Sequence, residues 1–552
     1  TLQELTALLP YFDSLGVNAL ELMPVMDYGN IGRSGHSWGY DLNSYFAIEP
    51  GYGTPRDLKV FVDSAHARGI AVILDVVYNH LNETSALWLM QQDFAANPYF
   101  KAVGDWRTNE DQWIFFKDLD HWTAETQELV LTAQKMWIDD YRIDGFRYDY
   151  TRGIGWSTSE PTKGILGWVN RIDQDYRGSI YQIAEHLPES PALLYYTGMT
   201  SGWHDSFRDK VFDEARYRNV SLSDIENLVL DLGAFPGNDS PSIPNRYSDR
   251  TGPVNSTITH DEQSLIYEMT TFQGVPTAEA VLRDKLYGVL MFTSLGIPML
   301  WQGQEFSEPR GWPEDGLKLS YRPVQWSWLS TERGQQHFRY YQTLIRQRTY
   351  NPALRNGALR KMGRYEAIGK VLAWGMVDSV SGAAVMVVAN FSGTAQNLSN
   401  VAWVGSGTWY DVFDESAIWV DANSVPSLSL PAYGVEIYSN RSNASLGIPT
   451  GVEVADDVVP TSFSLAQNFP NPFNPTTEIV YHLPARGEVT LKVSPLLGIE
   501  ITTLAAGEHE RGTFLARWDG RDAAGRILSS GTYLVRMVGG GAVQVRKMLL
   551  IR

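Results

Sequence analysis

In the stretch "IDGFRYDYTRG", residues 143–153, an arginine and an aspartate lie two positions apart, after apolar residues of the same segment. In a β-strand successive side chains alternate between faces, so Arg147 and Asp149 point to one side. Phe146 and Tyr148 point to the other side, where helices would cover them in a barrel. An ion pair with a purely structural role would explain why Arg147 and Asp149 point to the same side. A buried arginine also favours the charged form of a neighbouring carboxylate, which is the form a nucleophile needs.

The segments around this strand repeat a unit of helix followed by apolar strand. The candidate strands are "VNALELMPV" (17–25), "IAVILDVV" (70–77), "IDGFRYDY" (143–150), "IYQIAE" (180–185), a weak one near 210–213, "NSTIT" (255–259) and "GIPML" (296–300). Polar residues gather where these strands end, which favours a (β/α)8 TIM barrel over a doubly wound sheet. Seven strands are counted, so we expect the first barrel strand to be missing. The chain begins at Thr1 inside a helical pattern, and we expect further residues upstream.

Beyond the barrel the pattern changes to alternating β segments such as "AAVMVVANF" and "GVEIYS". The predicted fold class is therefore α/β, a barrel followed by two all-β sandwich domains. We predict four parts: a catalytic barrel over 1–350 with a short insert at about 81–122, an antiparallel β domain over 351–440, a linker over 441–461, and an immunoglobulin-like β-sandwich over 462–552.

Composition narrows the range of partners. The 552 residues are 43% hydrophobic and 20% charged, with a net charge of -18, which disfavours nucleic acid and anionic membrane surfaces. The longest apolar run, 287–301, is shorter than the roughly 20 residues that a membrane-spanning helix needs, so no membrane span is expected. Zero cysteines exclude disulfides and thiol nucleophiles. The 18 Trp and 28 Tyr suit either a large core or the flat faces of sugars.

Acids and imidazoles follow several of the predicted strands. Because the carboxyl ends of barrel strands meet at one rim, these side chains indicate a shared site there together with Asp149. "LDVVYNH" (74–80) brings Asp75, Asn79 and His80, "YQIAEH" (181–186) brings Glu185, and "THDE" (259–262) brings His260 and Asp261.

Such a set suits two chemistries. Glycosidic cleavage needs a nucleophilic carboxylate, a carboxylic acid and negative charge near the transition state, roles open to Asp149, Glu185 and Asp261. Glu185 follows apolar residues and is the better candidate for the acid. The rival is a metal-dependent barrel hydrolase that uses the acids and histidines as ligands. The lack of a His-x-His pair and the fixed charge of Arg147 argue against this rival.

These motifs, in this order, resemble the sequence regions of the α-amylase family, glycoside hydrolase family 13. "DVVYNH", "GFRYDY", "IAEH" and "THDE" are similar to its four regions, and "GIPMLWQGQEF" is similar to its last barrel strand. "SWGYDLNSYFAIEPGYGT" (37–54) is similar to a further family segment. The resemblance implies these roles: Asp149 as nucleophile, Glu185 as general acid/base, Asp261 as transition-state stabiliser, Arg147 as partner of the nucleophile, and His80, His260 and Tyr40 as sugar ligands.

The resemblance leaves the subfamily open. "SWGYD" and "THDE" favour branching enzymes and trehalohydrolases, whereas "GIPMLWQGQE" favours hydrolases of the amylase type. No cofactor is expected to be required. Calcium stays open, with Asn79 as its candidate ligand.

The C-terminal block, including "FSLAQNFPNPFNPTTEIVYHLP" and the closing "KMLLIR", resembles the sorting domain of the type IX secretion system. That resemblance implies secretion machinery as a partner and a secreted or cell-surface location. Export in turn favours a retaining hydrolase that cleaves the α-1,4 bonds of external, starch-like α-glucan. A branching enzyme, another transglycosylase or trehalohydrolase, and an inactive glucan-binding protein remain the alternatives.

Overall fold

The computed structural model describes residues 1–29, 37–101, 116–235, 245–312, 318, 322–421, 426–449, 463–465, 468, 471–483, 486–495, 500–509, 512–539 and 541–551. These residues form two compact units. The first contains nearly all described residues up to 449, and the second contains 322–336 and the described residues from 463 onward.

A seven-stranded parallel sheet forms the centre of the first unit. The strands up to residue 298 are β1 (Ala19–Leu22), β2 (Ala71–Val76), β3 (His80–Leu81), β4 (Lys117–Asp118), β5 (Gly145–Tyr148), β6 (Tyr181–Ala184), β7 (Ser201–Trp203), β8 (Pro253–Asn255) and β9 (Ile297–Pro298). The order in the parallel sheet is β1-β2-β5-β6-β7-β8-β9, and the short strands β3 and β4 pair with each other outside it.

The α-helices of the described residues precede, separate or follow these strands. They are α1 (Leu2–Ala7), α2 (Leu9–Leu15), α3 (Pro55–His66), α4 (Ala86–Met90), α5 (Ala124–Tyr141), α6 (Thr151–Ile154), α7 (Gly164–Asp175), α8 (Pro191–Tyr196), α9 (Asp205–Tyr217), α10 (Leu222–Asp224), α11 (Leu265–Tyr267), α12 (Thr277–Thr293), α13 (Glu332–Tyr350), α14 (Pro352–Asn356) and α15 (Asn443–Leu446).

Local sequence explains several of these boundaries. Thr54 and Asp57 form a reciprocal capping box at the start of α3, where Pro55 supplies a preset helical φ. The strand β2 that follows is buried on both faces, as expected for a parallel strand covered by helices. Gly145 begins β5 where a Cβ would lie 2.6 Å from the Tyr181 carbonyl oxygen. The close approach of β5 and β6 therefore requires glycine.

The parallel sheet is curled but not closed among the described residues, because β1 pairs only with β2 and β9 pairs only with β8. A cavity of about 1250 Å³ is lined by both edge strands and by interior side chains of the sheet. The prediction of a TIM-type barrel in which seven strands can be counted is confirmed.

The predicted strand near 210–213 is wrong. Residues 205–217 form helix α9, and the strand in that part of the sheet is β7, with three residues. Phe207, Val211 and Ala215 are buried at helical spacing, which explains why the segment packs as a helix.

An antiparallel β region follows the barrel in the chain. It contains a six-stranded sheet, β10-β11-β12-β17-β14-β15, and the pair β13-β16. Met386 and Trp409 belong to its core. The strands are β10 (Ala358–Tyr365), β11 (Val371–Val377), β12 (Ala384–Asn390), β13 (Gln396–Leu398), β14 (Gly407–Asp411), β15 (Ala417–Val420), β16 (Leu428–Leu430) and β17 (Val435–Ser439).

The second unit contains a β-sandwich of two antiparallel sheets, β18-β19-β22 and β21-β20-β23-β24. Leu465 and Tyr481 of the first sheet share one apolar core with Leu491 and Val535 of the second. The strands are β18 (Ser464–Leu465), β19 (Thr477–Leu483), β20 (Gly487–Pro495), β21 (Thr502–His509), β22 (Gly512–Trp518), β23 (Gly531–Gly539) and β24 (Ala542–Leu550).

Parts of the predicted domain plan lie outside the described residues, namely 102–115 of the insert and 450–461 of the linker. The bounds of the four predicted parts stay predictions. Within the described part of the chain, none of the helices combines the length and the apolar character that crossing a membrane would need.

Candidate active site

A single arginine organises the carboxyl end of the barrel strands. Arg147 on β5 is fully buried, and its Nη1 donates to both carboxylate oxygens of Asp75, at 2.7 and 2.9 Å. The same nitrogen donates to Asp149 Oδ1 at 3.1 Å, while Nη2 lies 2.8 Å from Glu185 Oε2. One guanidinium group thus joins three carboxylates from three strand ends.

Strand register brings these groups together. Asp75 on β2 and Arg147 on β5 are direct neighbours in the parallel ladder, so both side chains point to the same face. Arg147 is in turn paired with Ile183 on β6, two residues before Glu185. The two carboxylates that follow β5 and β6 can therefore reach the same cation.

Asp149 is held from two sides. Asn79 Nδ2 donates to its Oδ2 at 3.0 Å, and Arg147 donates to its Oδ1. Burial raises the pKa of Asp149 to about 6, although Arg147 acts to lower it. Arg147 therefore does lower the pKa of Asp149, but by less than burial raises it.

Glu185 is less exposed than Asp149, with 7% of its side chain accessible against 16%. Burial raises its pKa to about 7, and the opposing influence of Arg147 is again smaller. Its Oε2 also accepts a hydrogen bond of 2.9 Å from the backbone N–H of Tyr150. Tyr150 adopts a φ of 42°, a left-handed conformation that is rare for a large side chain. It directly follows Asp149, and its backbone N–H contacts Glu185.

Asp261 lies beside the imidazole of His260 and the ammonium group of Lys318. The distances are 3.6 Å from His260 Nε2 to Oδ2 and 2.5 Å from Lys318 Nζ to Oδ1. Burial acts to raise the pKa of Asp261, but His260, Lys318 and Arg147 together hold it below its usual value. This carboxylate is therefore charged throughout the neutral range.

Aromatic rings surround His260. The ring of Tyr40 is stacked on it with centroids 5.3 Å apart, and Trp38, Trp203 and Trp301 lie within 6.0 Å. The hydroxyl of Tyr40 donates to Asp75 Oδ2 at 2.6 Å, so this ring also borders the carboxylate cluster. Trp203, Trp301 and His260 line the cavity of the open sheet.

His80 is buried near the same rim. Its Nε2 lies 2.7 Å from the Tyr40 carbonyl oxygen, and burial lowers its pKa to about 4. The imidazole is therefore neutral at physiological pH and donates this hydrogen bond. His80 contacts Tyr40, and Tyr40 in turn contacts both Asp75 and His260.

The structure brings the predicted site residues to one place at the carboxyl ends of the strands. Asp261 lies beside His260, and Asn79 lies beside Asp149. The remaining members of this group are Glu185, Arg147, Tyr40 and His80.

Four residues of the site were given no role by sequence reasoning. Asp75 was expected at this rim, and its contact with Arg147 could have been predicted, because a parallel alignment of the two strands places the two residues opposite each other. Trp203, whose ring lies against Arg147, and Lys318 carry no sequence signal of their own. Glu21 on β1 was missed as well, and burial raises its pKa to about 8.

Fold and site together define a class: a TIM-type barrel with a β domain, whose carboxyl groups differ in pKa at the carboxyl ends of the strands. Comparison with known proteins agrees with this class. Residues 1–179 match the Alpha-amylase family, described as "Alpha amylase, catalytic domain".

Curated relatives cover different activities. The chain is 30% identical over 336 residues to a malto-oligosyltrehalose trehalohydrolase of Rhizobium sp., covering 56% of this chain and 53% of that protein. It is 24% identical to Alpha-amylase 3 of Dictyoglomus thermophilum, covering 58% and 62%. A 1,4-alpha-glucan-branching enzyme of Candida glabrata is 35% identical over 141 residues, which cover 26% of this chain and 19% of that enzyme. The chain thus spans about half the length of the trehalohydrolase.

Solved structures share the fold. The alpha-amylase of Geobacillus thermoleovorans, complexed with acarbose, superimposes with a TM-score of 0.62 at 19% identity, covering 80% of this chain and 92% of that chain. A pullulanase of Paenibacillus barengoltzii gives 0.61 at 20% identity, covering 78% and 70%. The catalytic-domain match thus covers residues 1–179, and the solved structures share the fold.

Proposed function

We propose that this chain is a retaining α-glucan hydrolase that cleaves α-1,4-glucosidic bonds of starch-like polysaccharide. One observation carries the proposal: a single guanidinium group contacts both Asp149 and Glu185, whose pKa values lie near 6 and 7. Near neutral pH the first carboxyl is mainly ionised while a large share of the second is protonated. Retention requires such a pair at a separation of roughly 5–5.5 Å.

In this mechanism Asp149 attacks the anomeric carbon while Glu185 donates its proton to the departing glycosidic oxygen. A covalent glycosyl–enzyme forms, and the part of the glucan that carries the protonated oxygen leaves. Glu185, now ionised, then removes a proton from water, which attacks the same carbon and releases Asp149. Asp261 supplies negative charge beside the oxocarbenium-like transition states.

The surroundings of the pair support a sugar ligand. Neutral sugars carry hydroxyl groups for hydrogen bonds and apolar faces for ring contacts, and the site offers the imidazoles of His80 and His260 beside the ring of Tyr40. Both histidines are nearly excluded from solvent. A substrate without charge also fits the net charge of -18.

Amylose provides the test. Incubation should release new reducing ends, with no new α-1,6 branch points after debranching analysis. Asp149→Asn should abolish this release. Asp144→Asn is the matched control, because Asp144 precedes the same strand at its other end, where it accepts from His66 and from the Val72 backbone. An active Asp149→Asn variant would rule out the nucleophile assignment.

The trehalohydrolase hypothesis is the second candidate, supported by the relative from Rhizobium sp.. It predicts release of trehalose from malto-oligosyltrehalose at a rate above that of amylose cleavage. The branching hypothesis, supported by the Candida glabrata relative, predicts new α-1,6 linkages without a matching rise in reducing ends. Binding of amylose with none of these products would favour the inactive glucan-binding protein.

We propose further that the reaction requires no cofactor. Asn79 uses its amide N–H groups on Asp149, while its Oδ1 is buried without a hydrogen bond to any described residue. Calcium takes six to eight oxygen ligands. Among the described side chains no group of three or more His, Asp or Glu is placed to hold a metal, and Asn79 Oδ1 stays the candidate calcium ligand.

Secretion is proposed from the C-terminal β-sandwich, residues 463–551, whose sequence resembles type IX sorting domains. The sandwich has its own apolar core, as a separately folding sorting module needs. Expression in a bacterium with that secretion system should place the full chain in the medium or on the cell surface. A chain ending at 449 should stay inside the cell, and equal export of both would contradict the proposal.

A further inference from the structure

We propose that Trp203 is a positioning residue, whose indole ring holds the Arg147 guanidinium in place between Asp149 and Glu185. The inference rests on the proposed glycosidase function, since the two carboxylates are its reacting groups. It adds a residue to which neither the motifs nor the comparisons assign a role.

The contact is close and buried. Arg147 Cζ lies 4.1 Å from the centroid of the Trp203 ring, and Trp203 is only 4% exposed. A guanidinium group donates its N–H bonds in its own plane and offers its faces to aromatic rings. The carboxylates therefore approach the N–H groups of Arg147, and the indole ring supports the cation itself.

Hydrogen bonding does not explain the orientation of this tryptophan. Its Nε1 is buried and donates to none of the residues that the structure describes. A buried indole N–H usually finds a partner, and leaving it unpaired carries a free-energy cost. The ring is oriented by its contacts instead: Arg147, the imidazole of His260 at 6.0 Å, and the aliphatic side chains of Ile73, Ile183 and Val254.

Position 203 also favours an aromatic residue. β7 has three residues, and Trp203 is its last, at the carboxyl end where the site lies. An aliphatic side chain would fill the neighbouring apolar cluster without leaving a polar N–H unpaired. Only an aromatic ring adds attraction for a cation, which is strongest for tryptophan and larger where water is excluded.

Arg147 acts on both reacting carboxyls, because its charge lowers the pKa of Asp149 and of Glu185 against the effect of burial. A guanidinium that moved away from them would let both pKa values rise. The position of Trp203 thus sets the pH window of the proposed reaction. The titratable groups around this cation and ring are Glu21, Tyr40, Asp75, Asp149, Glu185, His260 and Asp261.

The experiment compares Trp203→Leu and Trp203→Phe with the unchanged full chain, using amylose across pH 4 to 9. For Trp203→Leu we expect kcat to fall about 30-fold, the ratio that ~2 kcal/mol represents, with KM within about threefold. Both limbs of the pH profile should move to higher pH by roughly 0.5 to 1 unit, part of what a nearby opposite charge contributes. Trp203→Phe retains an aromatic face and should recover most of both effects.

The matched control is Trp137→Leu. Trp137 is also buried, but it lies on α5 and donates to the Tyr45 carbonyl oxygen. This variant should lose stability in thermal unfolding while keeping both pH limbs. If Trp203→Leu loses stability to the same extent and keeps the limbs, Trp203 is merely structural and the proposal is overturned.

A spectroscopic readout separates this inference from the proposed function. In ¹⁵N-arginine-labelled protein, the Arg147 side-chain resonance, assigned with Arg147→Lys, should show a ring-current shift that Trp203→Phe reduces and Trp203→Leu removes. This measurement needs no turnover, so an unshifted resonance would overturn the positioning role even in an active enzyme. Failure of the unchanged chain on amylose, with the ring-current shift present, would instead refute the hydrolase assignment.

Discussion

The pH dependence of turnover follows directly from the two carboxyl groups that share Arg147. The proposed mechanism needs Asp149 ionised and Glu185 protonated in the same molecule. With pKa values of about 6 and about 7, this form is most abundant midway between them. We therefore expect a bell-shaped profile of kcat/KM on amylose, with its maximum roughly midway, near pH 6.5.

The signs of the two limbs can be assigned. Below its pKa Asp149 gains a proton and loses nucleophilicity, so activity falls about tenfold per pH unit well below pH 6. Above its pKa Glu185 loses the proton that it must donate, so activity falls equally steeply well above pH 7.

Glu185→Gln distinguishes the two limbs. This variant should lose roughly 10²- to 10⁴-fold in rate on amylose, the usual contribution of a general acid. A dinitrophenyl maltoside, whose leaving group needs no protonation, should still give a burst of one dinitrophenolate per enzyme, because the later step lacks its base. The burst rate should keep the acidic limb and lose the basic one.

The matched control is Glu189→Gln, since Glu189 is a buried carboxyl in the same loop that accepts from Ser206 and Tyr247. It should keep both limbs on amylose. A basic limb that persists in Glu185→Gln, or an optimum of the unchanged protein above about pH 8, would refute the assignment of acid and nucleophile.

Three further outcomes are expected. Asp261→Asn should lower kcat by at least about 10²-fold with little change in KM, because its charge acts mainly on the transition state; equal loss in binding of maltose would contradict this. The raised pKa of Glu21 means that the unchanged protein loses stability as the pH rises from about 4.5 to about 8, a loss that Glu21→Gln should avoid. Chemical denaturation at pH 5 and pH 8 should show that the free energy of unfolding of the variant exceeds that of the unchanged protein by up to ~4 kcal/mol, mainly at the higher pH. An equal increase at both pH values would contradict this. Incubation with a chelator such as EDTA should leave turnover of amylose unchanged, and recovery of lost activity by added Ca²⁺ would refute the cofactor-free proposal.

Much of the site could be predicted from the chain because it depends on local pattern. The two-residue period of a strand placed Arg147 and Asp149 on one face, and the alternation of helix with apolar strand indicated a parallel barrel. In such a barrel the strand ends coincide, so acids after different strands could be expected to meet. The predicted strand near 210–213 failed because a short run of apolar residues fits a helix as well as a strand.

Other features depend on register between strands and on depth of burial. Asp75 reaches Arg147 because the two residues are paired across β2 and β5, and Trp203 lies against the same cation from β7. The expected lowering of the Asp149 pKa is outweighed by burial, whose size no local pattern reveals. Lys318 reaches Asp261 from a part of the chain without a recognisable motif.

The sequence by itself determined the fold class and the chemical groups at the rim of the barrel, because these follow from periodicity and from the ends of single strands. Only the tertiary structure decided that one buried guanidinium joins Asp75, Asp149 and Glu185 and rests on an indole ring. The physical reason is that contacts among four strands depend on their relative register, and that each pKa depends on the solvent and charges that the packed fold excludes or brings near.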